Sequence, residues 1–588
     1  MTFGGPMTAN SGSTFTRATL LAGAACVVSP AVAEAQTVVP TRDELEGIAR
    51  TDRAPPPRLN LAGGIERSPC ALADPQYADV RVIIREAVFN GLKGASPEEL
   101  RPAWEPFAGT EQPVSVLCEI RDAAATILRN KGYLAATQVP TQRIEDGVVE
   151  FEVLYGRITA IRARGETRGA ETKLRQYLGT LAQDEIFDRN KAERALLLAR
   201  DLPGYFVNLT LKPAPEGSGA LIGEVTVLRQ RYSVDFTAQN YGSEATGPFG
   251  GQIRAQFFGL TGMGDATTLS YYASSDFSEQ HVVQAAHEFR PGGSGLAVKG
   301  QFTYAWTKPD TGLAAVGPVA DVEAETLFAG LSASYPIKRT QGESIYVGTG
   351  FDFIDQDVDF IAPIARDRLR VAWARLQYDA IDTARRAPRY RISGSLELRQ
   401  GLDIFGASEA CIGAACPAGF VNPGRIDGNP TATVIRGGAL GEFSLSKELA
   451  LVLKPRAQYA SSPLLGFEEF TAGNYTVGRG YAPGTIIGDD GLGLQTEIRT
   501  APLPLNESGS ATIEPYAFFD VAKVWNKGFT PSEDLYSTGA GARVAVGDRF
   551  RFDTTLAVPL ARAGLQNRRG DVRLLFTVTT RILPWRNR

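Results

Sequence analysis

The chain contains few of the residues that catalytic and metal centres most often use. Its 588 residues include only 2 histidines, 5 cysteines and 3 methionines. His281 and His287 share one face of a predicted strand, but no third ligand stands at the spacing that a metal site requires, so we expect ordinary rim or lumen side chains. Neither a G-x-S-x-G elbow nor a Walker P-loop occurs. We therefore expect a protein that is not an enzyme and that uses no metal, cofactor or nucleotide.

The sequence also lacks a charge excess and a long apolar run. Lysine and arginine together number 61, against 65 aspartates and glutamates. This near balance argues against a nucleic-acid partner, which a basic excess would indicate. Past the N-terminus no apolar run reaches the length of a spanning helix. Membrane-spanning strands leave only a weak alternating signal, so a membrane protein is still compatible with the sequence.

The first 35 residues are typical of a secretory signal, which is removed from the mature chain. Arg17 supplies the positive region, LLAGAACVV the apolar segment, and the A-E-A triplet ending at Ala35 the cleavage site. Cys26 leaves a lipoprotein signal as the alternative. We expect the mature chain to begin near Gln36.

Removal of this signal leaves four cysteines. An even number in an exported chain permits two disulfides. Cys411 and Cys416 are close enough in EACIGAACPAG to close a small loop, and a pair of Cys70 with Cys118 is the less constrained suggestion. Isolated buried thiols are the alternative.

Residues 36–74 form a short leader ahead of the first folded unit. TRDELEGIARTD predicts a helix with Thr41 as its N-cap and acidic residues in its first turn. RAPPPRLN follows as a stiff, extended linker. The sequence is compatible with a movable helix and with a frayed terminus.

Residues 75–157 and 158–230 repeat one order of elements. In each unit a strand precedes two helical stretches and two further strands, a β-α-α-β-β order. An internal repeat of about 75 residues indicates two related modules rather than one larger domain. Each is a small α+β unit with an edge strand that can accept a partner strand.

Residues 231–588 lose helical periodicity and alternate with period two. In RYSVDFTAQN, Val234, Phe236 and Ala238 share one face, and charged residues stand in mid-strand on the opposite face. A soluble sandwich also alternates, but long, numerous strands with mid-strand charges favour a closed barrel with lipid outside and water inside. At about 22 residues per strand and loop, the region accommodates about sixteen strands, which enclose a channel.

Four stretches resemble motifs of one known superfamily. PTQRIEDGVVEFEVLYGRI (Pro140 to Ile158) and RALLLARDLPG (Arg194 to Gly204) resemble the ends of two successive POTRA domains. VGRGY (Val477 to Tyr481) and AFFDVAKVW (Ala517 to Trp525) resemble two barrel motifs. In order and spacing they resemble the two-partner secretion transporters, the TpsB or haemolysin secretion/activation family. The resemblance implies a mainly β fold: a 16-stranded transmembrane β-barrel preceded by two periplasmic α+β POTRA domains and a short N-terminal plug helix.

The resemblance also implies a site inside the barrel. A loop at about residues 465–491 would fold back into the lumen, and its arginine would contact an acid on the wall. Here the loop residues are Val477, Arg479, Gly480 and Tyr481, and the wall residues are Phe518 and Asp520.

The residues alone support the same pair. Alternation in IEPYAFFDV puts Asp520 among inward aromatic side chains, where an acid needs a partner, and the planar fork of arginine can hold a carboxylate bidentately. The sequence departs from the family pattern at Ala522, where a glycine is usual.

As a member of this family the protein would act as a passive translocator of the Gram-negative outer membrane. Its POTRA domains would lie in the periplasm and bind an unfolded, β-helical exoprotein of adhesin or haemolysin type (TpsA-like), which crosses the lumen without ATP. Its other partners would be outer-membrane lipid and, during biogenesis, the barrel assembly machinery. The alternatives are an insertase that assembles other barrel proteins and a receptor or porin for a small solute.

Overall fold

The computed structural model describes residues 39–49, 70–165, 171–214, 219–310, 322–385, 387–411, 416–528, 531–564 and 569–584. The predicted secretory signal and the whole of the proline-rich linker RAPPPRLN lie outside these residues. Within them, no helix has both the length and the apolar character needed to cross a membrane.

The described part of the chain starts with helix α1 and continues, after residue 70, into the first module. The elements of this part are α1 Arg42–Ala49, β1 Arg81–Ile83, β2 Glu86–Asn90, α2 Pro97–Leu100, β3 Glu111–Pro113, α3 Val116–Asn130, β4 Ala135–Gln138 and β5 Val148–Tyr155. β2, β5 and β4 form one sheet in that order, with β2 parallel to β5. Leu117, Ile120 and Leu128 of α3 are buried in the core that also holds Phe151 of β5. The module is therefore a helix packed on a small mixed sheet.

The second module repeats this arrangement. Its elements are β6 Arg157–Gly165, α4 Glu171–Leu178, α5 Arg189–Arg200, β7 Tyr205–Pro213 and β8 Ala220–Arg229. The sheet order is β6-β8-β7, with β6 parallel and β7 antiparallel to β8. Asp188 caps α5 by accepting bonds from the backbone of Asn190 and Lys191. The outer strands β6 and β7 leave one sheet edge each.

A disulfide between Cys70 and Cys118 fastens the start of the first module to α3, with a Cα–Cα distance of 6.0 Å and a sequence separation of 48. Replacing both cysteines by alanine should lower the free energy of opening of this module by about 2–4 kcal/mol, because the cross-link restricts the unfolded chain. Hydrogen exchange of residues 81–155 measures this loss. The Cys411–Cys416 bridge closes a sequence separation of 5 elsewhere. Its removal should leave exchange in the first module unchanged, and an equal effect of both bridges would contradict the prediction.

From residue 232 onward the described residues form a closed barrel of sixteen long strands, which confirms the predicted fold. Strand β27 returns to pair with β9, so the sheet has no open edge. The strands are β9 Tyr232–Gln239, β10 Gly250–Phe258, β11 Ala266–Ser274, β12 Gln280–Phe289, β13 Ala297–Thr307, β14 Val322–Arg339, β15 Glu343–Phe360, β16 Ala362–Ile381, β17 Tyr390–Gly401, β18 Thr433–Ser444, β19 Leu449–Ala460, β22 Asp490–Thr500, β24 Ala511–Trp525, β25 Glu533–Val546, β26 Phe550–Pro559 and β27 Arg573–Leu583. Three short strands, β20 Phe470–Ala472, β21 Ile486–Gly488 and β23 Leu503–Pro504, accompany them.

The two faces of the barrel wall differ in polarity. On β17, Leu396 and Leu398 are exposed on the outside, whereas Glu397 and Arg399 are buried on the inside. Exposed apolar side chains on the outer face suit contact with lipid, and buried charges on the inner face suit a polar lumen. The period-two alternation predicted for residues 231–588 is therefore present in β17.

The second module is fixed to the near end of the barrel by polar contacts. Arg339, at the end of β14, holds Asp201 through two bonds of 2.8 Å. Lys173 of α4 donates to the carbonyl oxygens of Arg290 (2.5 Å) and Gly292 (3.0 Å) in the turn after β12. Burial of Lys173 lowers its pKa. These contacts orient the module toward the barrel mouth.

Candidate functional site

The chain between β19 and β22, residues 461–489, turns into the barrel, and we call it the lumen loop. β20 and β21 form a small antiparallel ladder within it. Val477, Tyr481 and Phe470 of the loop are buried against Ala522 and Leu535 of the wall. The extra methyl group of Ala522, unusual by the family pattern, thus lies in this apolar cluster. The loop is a packed element and not a solvent-exposed turn.

Arg479, at the tip of the lumen loop, is paired with Asp520 of β24. Its Nε and Nη2 atoms donate to the two carboxylate oxygens at 3.0 and 2.8 Å, and its backbone nitrogen donates to Oδ2 at 3.0 Å. The guanidinium lies 3.7 Å from the ring centroid of Phe518. The Arg479 side chain is 13% exposed and that of Asp520 is 0% exposed. The two charges are therefore buried together, and the bidentate geometry pairs them.

A second wall acid, Glu497 of β22, completes this site. The sequence analysis does not predict it. Its carboxylate accepts from Arg479 Nη1 at 3.0 Å and from Arg543 of β25 at 2.7 and 2.9 Å. Mid-strand charge in LGLQTEIRT is the signal that points to it, because Glu497 shares a face with Arg499. Two arginines thus share one acid next to the loop tip.

Tyr481 and the two glycines around Arg479 set the path of the loop tip. The Tyr481 hydroxyl donates toward the carbonyl oxygens of Tyr536 and Ala561, each at 2.9 Å. Gly480 approaches the wall so closely that an added Cβ would lie 2.8 Å from Ser537 Cβ. These contacts attach the tip to β25 and to the segment after β26.

Gly478 is the position in the loop where a side chain should cost most. Its φ is +118°, and an added Cβ would lie 2.7 Å from Leu535 Cδ1. We expect Gly478→Ala to destabilise the docked loop by about 1–3 kcal/mol because of backbone strain. Hydrogen exchange of residues 470–488 reports the change. Gly466→Ala in the same loop is the control, since its added Cβ meets only Glu469 Oε2 at 3.9 Å. Equal protection of the two variants would contradict the prediction.

Helix α1 lies inside the barrel beside the lumen loop. Thr41 and Glu44 form a reciprocal capping box, with N–O distances of 2.7 and 3.3 Å. Leu45 is buried in a cluster with Val282, Ile354, Leu465 and other side chains of the wall and the loop. The predicted leader helix is therefore a docked element of the lumen in this structure.

Charges join α1 to both the wall and the loop. Asp43 accepts from Arg456 of β19 at 2.8 Å and from Thr471 Oγ1 of the loop at 2.8 Å. Arg42 lies 3.6 Å from Glu468 of the loop and 3.9 Å from Glu397 of β17. The helix thus contacts the lumen loop through two separate polar links.

Glu468 is the centre of a second charge cluster that the sequence did not indicate. Arg399 donates to it through two bonds, of 2.8 and 2.7 Å, and Arg436 through one of 2.6 Å. Arg399 also reaches Asp352 at 2.8 Å. All of these wall residues come from β15, β17 and β18, on strands that do not carry Asp520.

Asp489 joins three loops at the barrel end opposite the modules. Its carboxylate accepts from Arg425 at 2.7 and 3.1 Å and from the backbone nitrogens of Leu464 and Lys527, each at 2.7 Å. Arg425 belongs to the loop after β17, which also contains the Cys411–Cys416 disulfide. This end of the lumen is therefore covered by loops fastened to one buried acid.

The two histidines take no part in these clusters. On β12, Gln284 of the inner face donates to the Leu45 carbonyl. His281 and His287 stand at alternate positions and lie on the outer face, so the expectation of lumen side chains is wrong for them. His281 contacts the Tyr271 hydroxyl at 2.7 Å, and His287 contacts Thr267 Oγ1 at 2.9 Å. In the part of the chain that the structure describes, no three ligand-type side chains are grouped as a metal site.

Comparison with family models gives two matches. The model of the haemolysin secretion/activation protein ShlB/FhaC/HecB matches residues 225–544, and that of the ShlB-type POTRA domain matches residues 82–156. The heme/hemopexin transporter protein HuxB of Haemophilus influenzae (strain 86-028NP) is 25% identical over 185 residues. That match covers 30% of this chain and 32% of HuxB, about a third of its length.

Solved structures with a similar fold include two proteins called CdiB. CdiB from Escherichia coli is similar with a TM-score of 0.71 and 17% identity, over 92% of this chain and 96% of its own. CdiB from Acinetobacter baumannii gives a TM-score of 0.63 and 17% identity, over 96% of this chain and 98% of its own. At these identities the likeness extends to the fold of the modules and the barrel.

Proposed function

Because this chain belongs to the haemolysin secretion/activation family of ShlB, FhaC and HecB, we propose that it secretes an unfolded exoprotein across a Gram-negative outer membrane. The exoprotein would be a β-helical adhesin or haemolysin type of partner. It would be captured in the periplasm by the two modules and would leave through the barrel lumen. Outer-membrane lipid would surround the barrel, which the barrel assembly machinery would insert during biogenesis.

The observation that carries this proposal is a lumen filled by two docked but non-covalent elements. α1 and the lumen loop occupy the interior through ion pairs and a small apolar cluster. A static structural core would gain little from so many buried charges, because their desolvation offsets most of the Coulomb energy. Polar contacts of this kind suit elements that move aside for a polar, extended chain.

The modules offer edges on which a chain could be captured. β7 is an outer strand of the second module, and β2 and β4 are outer strands of the first. An extended segment added to such an edge gains main-chain hydrogen bonds, and alternate side-chain positions supply selectivity. Folding of the cargo outside the cell would then prevent backward steps, so the process needs no ATP.

Deletion of the gene and analysis of the medium test this proposal. We expect one large exoprotein to disappear from the medium while the other outer-membrane barrel proteins keep their normal abundance. Restoring the intact chain should return the exoprotein. An unchanged set of secreted proteins would overturn the proposal.

The alternative is an insertase for other barrel proteins, and one feature favours it. The ladder between β9 and β27 has six paired residues and a register shift between Arg581 and Leu583. It is the shortest of the ladders described between long strands, so this seam is the place where the wall would open most easily. General loss of barrel proteins from the deletion strain would select this alternative.

A further inference from the structure

The sheet of the second module has an outer face with an apolar end. Val207 and Val227 point to the core side, under α4 and α5. The opposite face carries Phe206 and Leu228, which are 57% and 50% exposed and stand directly opposite each other on β7 and β8. Two large exposed apolar side chains in register form a patch that favours contact with another apolar surface.

The strand that carries Leu228 leads into the barrel wall after a junction of two residues, Gln230 and Arg231. The backbone nitrogen of Gln230 donates to the carbonyl oxygen of Gly204 in the module at 2.8 Å. The backbone nitrogen of Phe258 in β10 donates to the carbonyl oxygen of Arg231 at 2.8 Å. β8 therefore runs almost directly into β9. Tyr232 and Phe257 follow as an exposed cross-strand pair on the barrel.

Further exposed apolar side chains lie at the rim of the barrel next to the second module. Leu260 and Met263, in the turn after β10, are also exposed. Aromatic and apolar side chains at the rim of a membrane barrel mark the level of the lipid–water boundary. Phe206 and Leu228 thus lie next to a rim whose apolar side chains face lipid.

Away from Phe206 and Leu228 the same sheet face is charged, beginning at Arg164, which stands beside Thr226 of β8. Lys212 and Arg164 both pair with Glu224, at 2.7 and 3.0 Å. The face therefore changes from apolar beside the barrel to charged away from it. A protein partner would need no such gradient, whereas the boundary of a leaflet imposes one.

We infer that the barrel-proximal end of the second module contacts the periplasmic leaflet, with Phe206 and Leu228 in the apolar zone of phospholipid. This lipid contact adds to the polar contacts with the barrel turns and fixes the module relative to the membrane. The inference does not depend on which chain the protein secretes.

Site-specific fluorescence in lipid nanodiscs tests this contact. In the described chain all four cysteines are paired in disulfides, so an introduced cysteine takes the label. An NBD group is attached to the variants Phe206→Cys and Leu228→Cys of the chain without its first 35 residues, which removes Cys26. Lys212→Cys is the matched control, on the same strand and face but about 20 Å farther from the barrel. The nanodiscs are prepared with and without phosphatidylcholine that carries a doxyl spin label on its acyl chain.

We expect blue-shifted emission and strong quenching by the spin-labelled lipid at positions 206 and 228, with neither effect at position 212. Soluble iodide should quench the label at 212 and spare the other two. Quenching of the labels at 206 and 228 by iodide alone would overturn the inference and would identify this face as a protein-binding surface. Equal lipid quenching at all three positions would also overturn it, because the proposed gradient would be absent.

Discussion

Replacing Arg479 by alanine should release the lumen loop and stop secretion. The change leaves the carboxylate of Asp520, which is 0% exposed, with only the backbone nitrogen of residue 479 from the loop. Removing one partner of a buried ion pair typically costs about 3–5 kcal/mol, since the remaining charge is uncompensated. Hydrogen exchange of residues 470–488 and the amount of exoprotein in the medium measure the two consequences.

Three further variants separate this effect from a general loss of charge. Arg479→Lys keeps the charge but loses the fork that reaches Asp520 and Glu497 together, so we expect an intermediate loss. Asp520→Asn keeps an acceptor near the guanidinium and leaves Glu497 in place, so its effect should be smaller than that of Arg479→Ala. Arg562→Ala, at an exposed arginine after β26, should behave as the unmodified protein. Secretion at normal levels by Arg479→Ala would contradict the account of the loop.

Deleting residues 39–49 should increase the conductance of the barrel severalfold. α1 lies across the lumen, where Asp43 bonds to Arg456 and Leu45 is buried among wall and loop side chains. Its removal exposes a polar passage that ions can cross. Single-channel recording in planar bilayers measures the change.

A point variant makes the same test without shortening the chain. Leu45→Asp places an unpaired carboxylate in the apolar cluster and should favour the undocked helix, because an unpaired buried charge is costly. Glu46→Gln is the control on the same helix, because this side chain is 47% exposed and glutamine still offers an acceptor to Arg42. Identical conductance of the deletion variant and the intact protein would show that α1 does not limit ion flow.

The sequence predicted the architecture because the barrel pattern is local. Alternation along each strand shows which side chains share the lumen, and the count of strands follows from the length of the region. The pairing of Arg479 with Asp520 can be predicted for the same reason, since Asp520 stands among inward aromatic side chains and VGRGY supplies an arginine at the loop tip. Only the family resemblance predicts that the loop folds into the lumen.

The partners of the lumen elements could not be read from the sequence. Asp43 meets Arg456, and Arg399 meets Glu468, across large separations along the chain. Alternation does not show which strands face each other across the lumen of a sixteen-stranded barrel, or where a helix inside that lumen binds. The sequence does not distinguish Glu497, because several charges alternate on its strand and only the folded loop selects one of them.

Photo-crosslinking of cargo during secretion tests the central claim that an extended chain passes through the lumen. A photoreactive amino acid is placed at Gln301, which lines the cavity beside α1, or at the neighbouring Phe302, which faces outward. Because adjacent residues of β13 point to opposite sides of the wall, the pair differs mainly in the side that is sampled. We predict that position 301 captures the exoprotein and that position 302 does not. Capture at 302, or at the β9–β27 seam in place of 301, would contradict passage through the lumen.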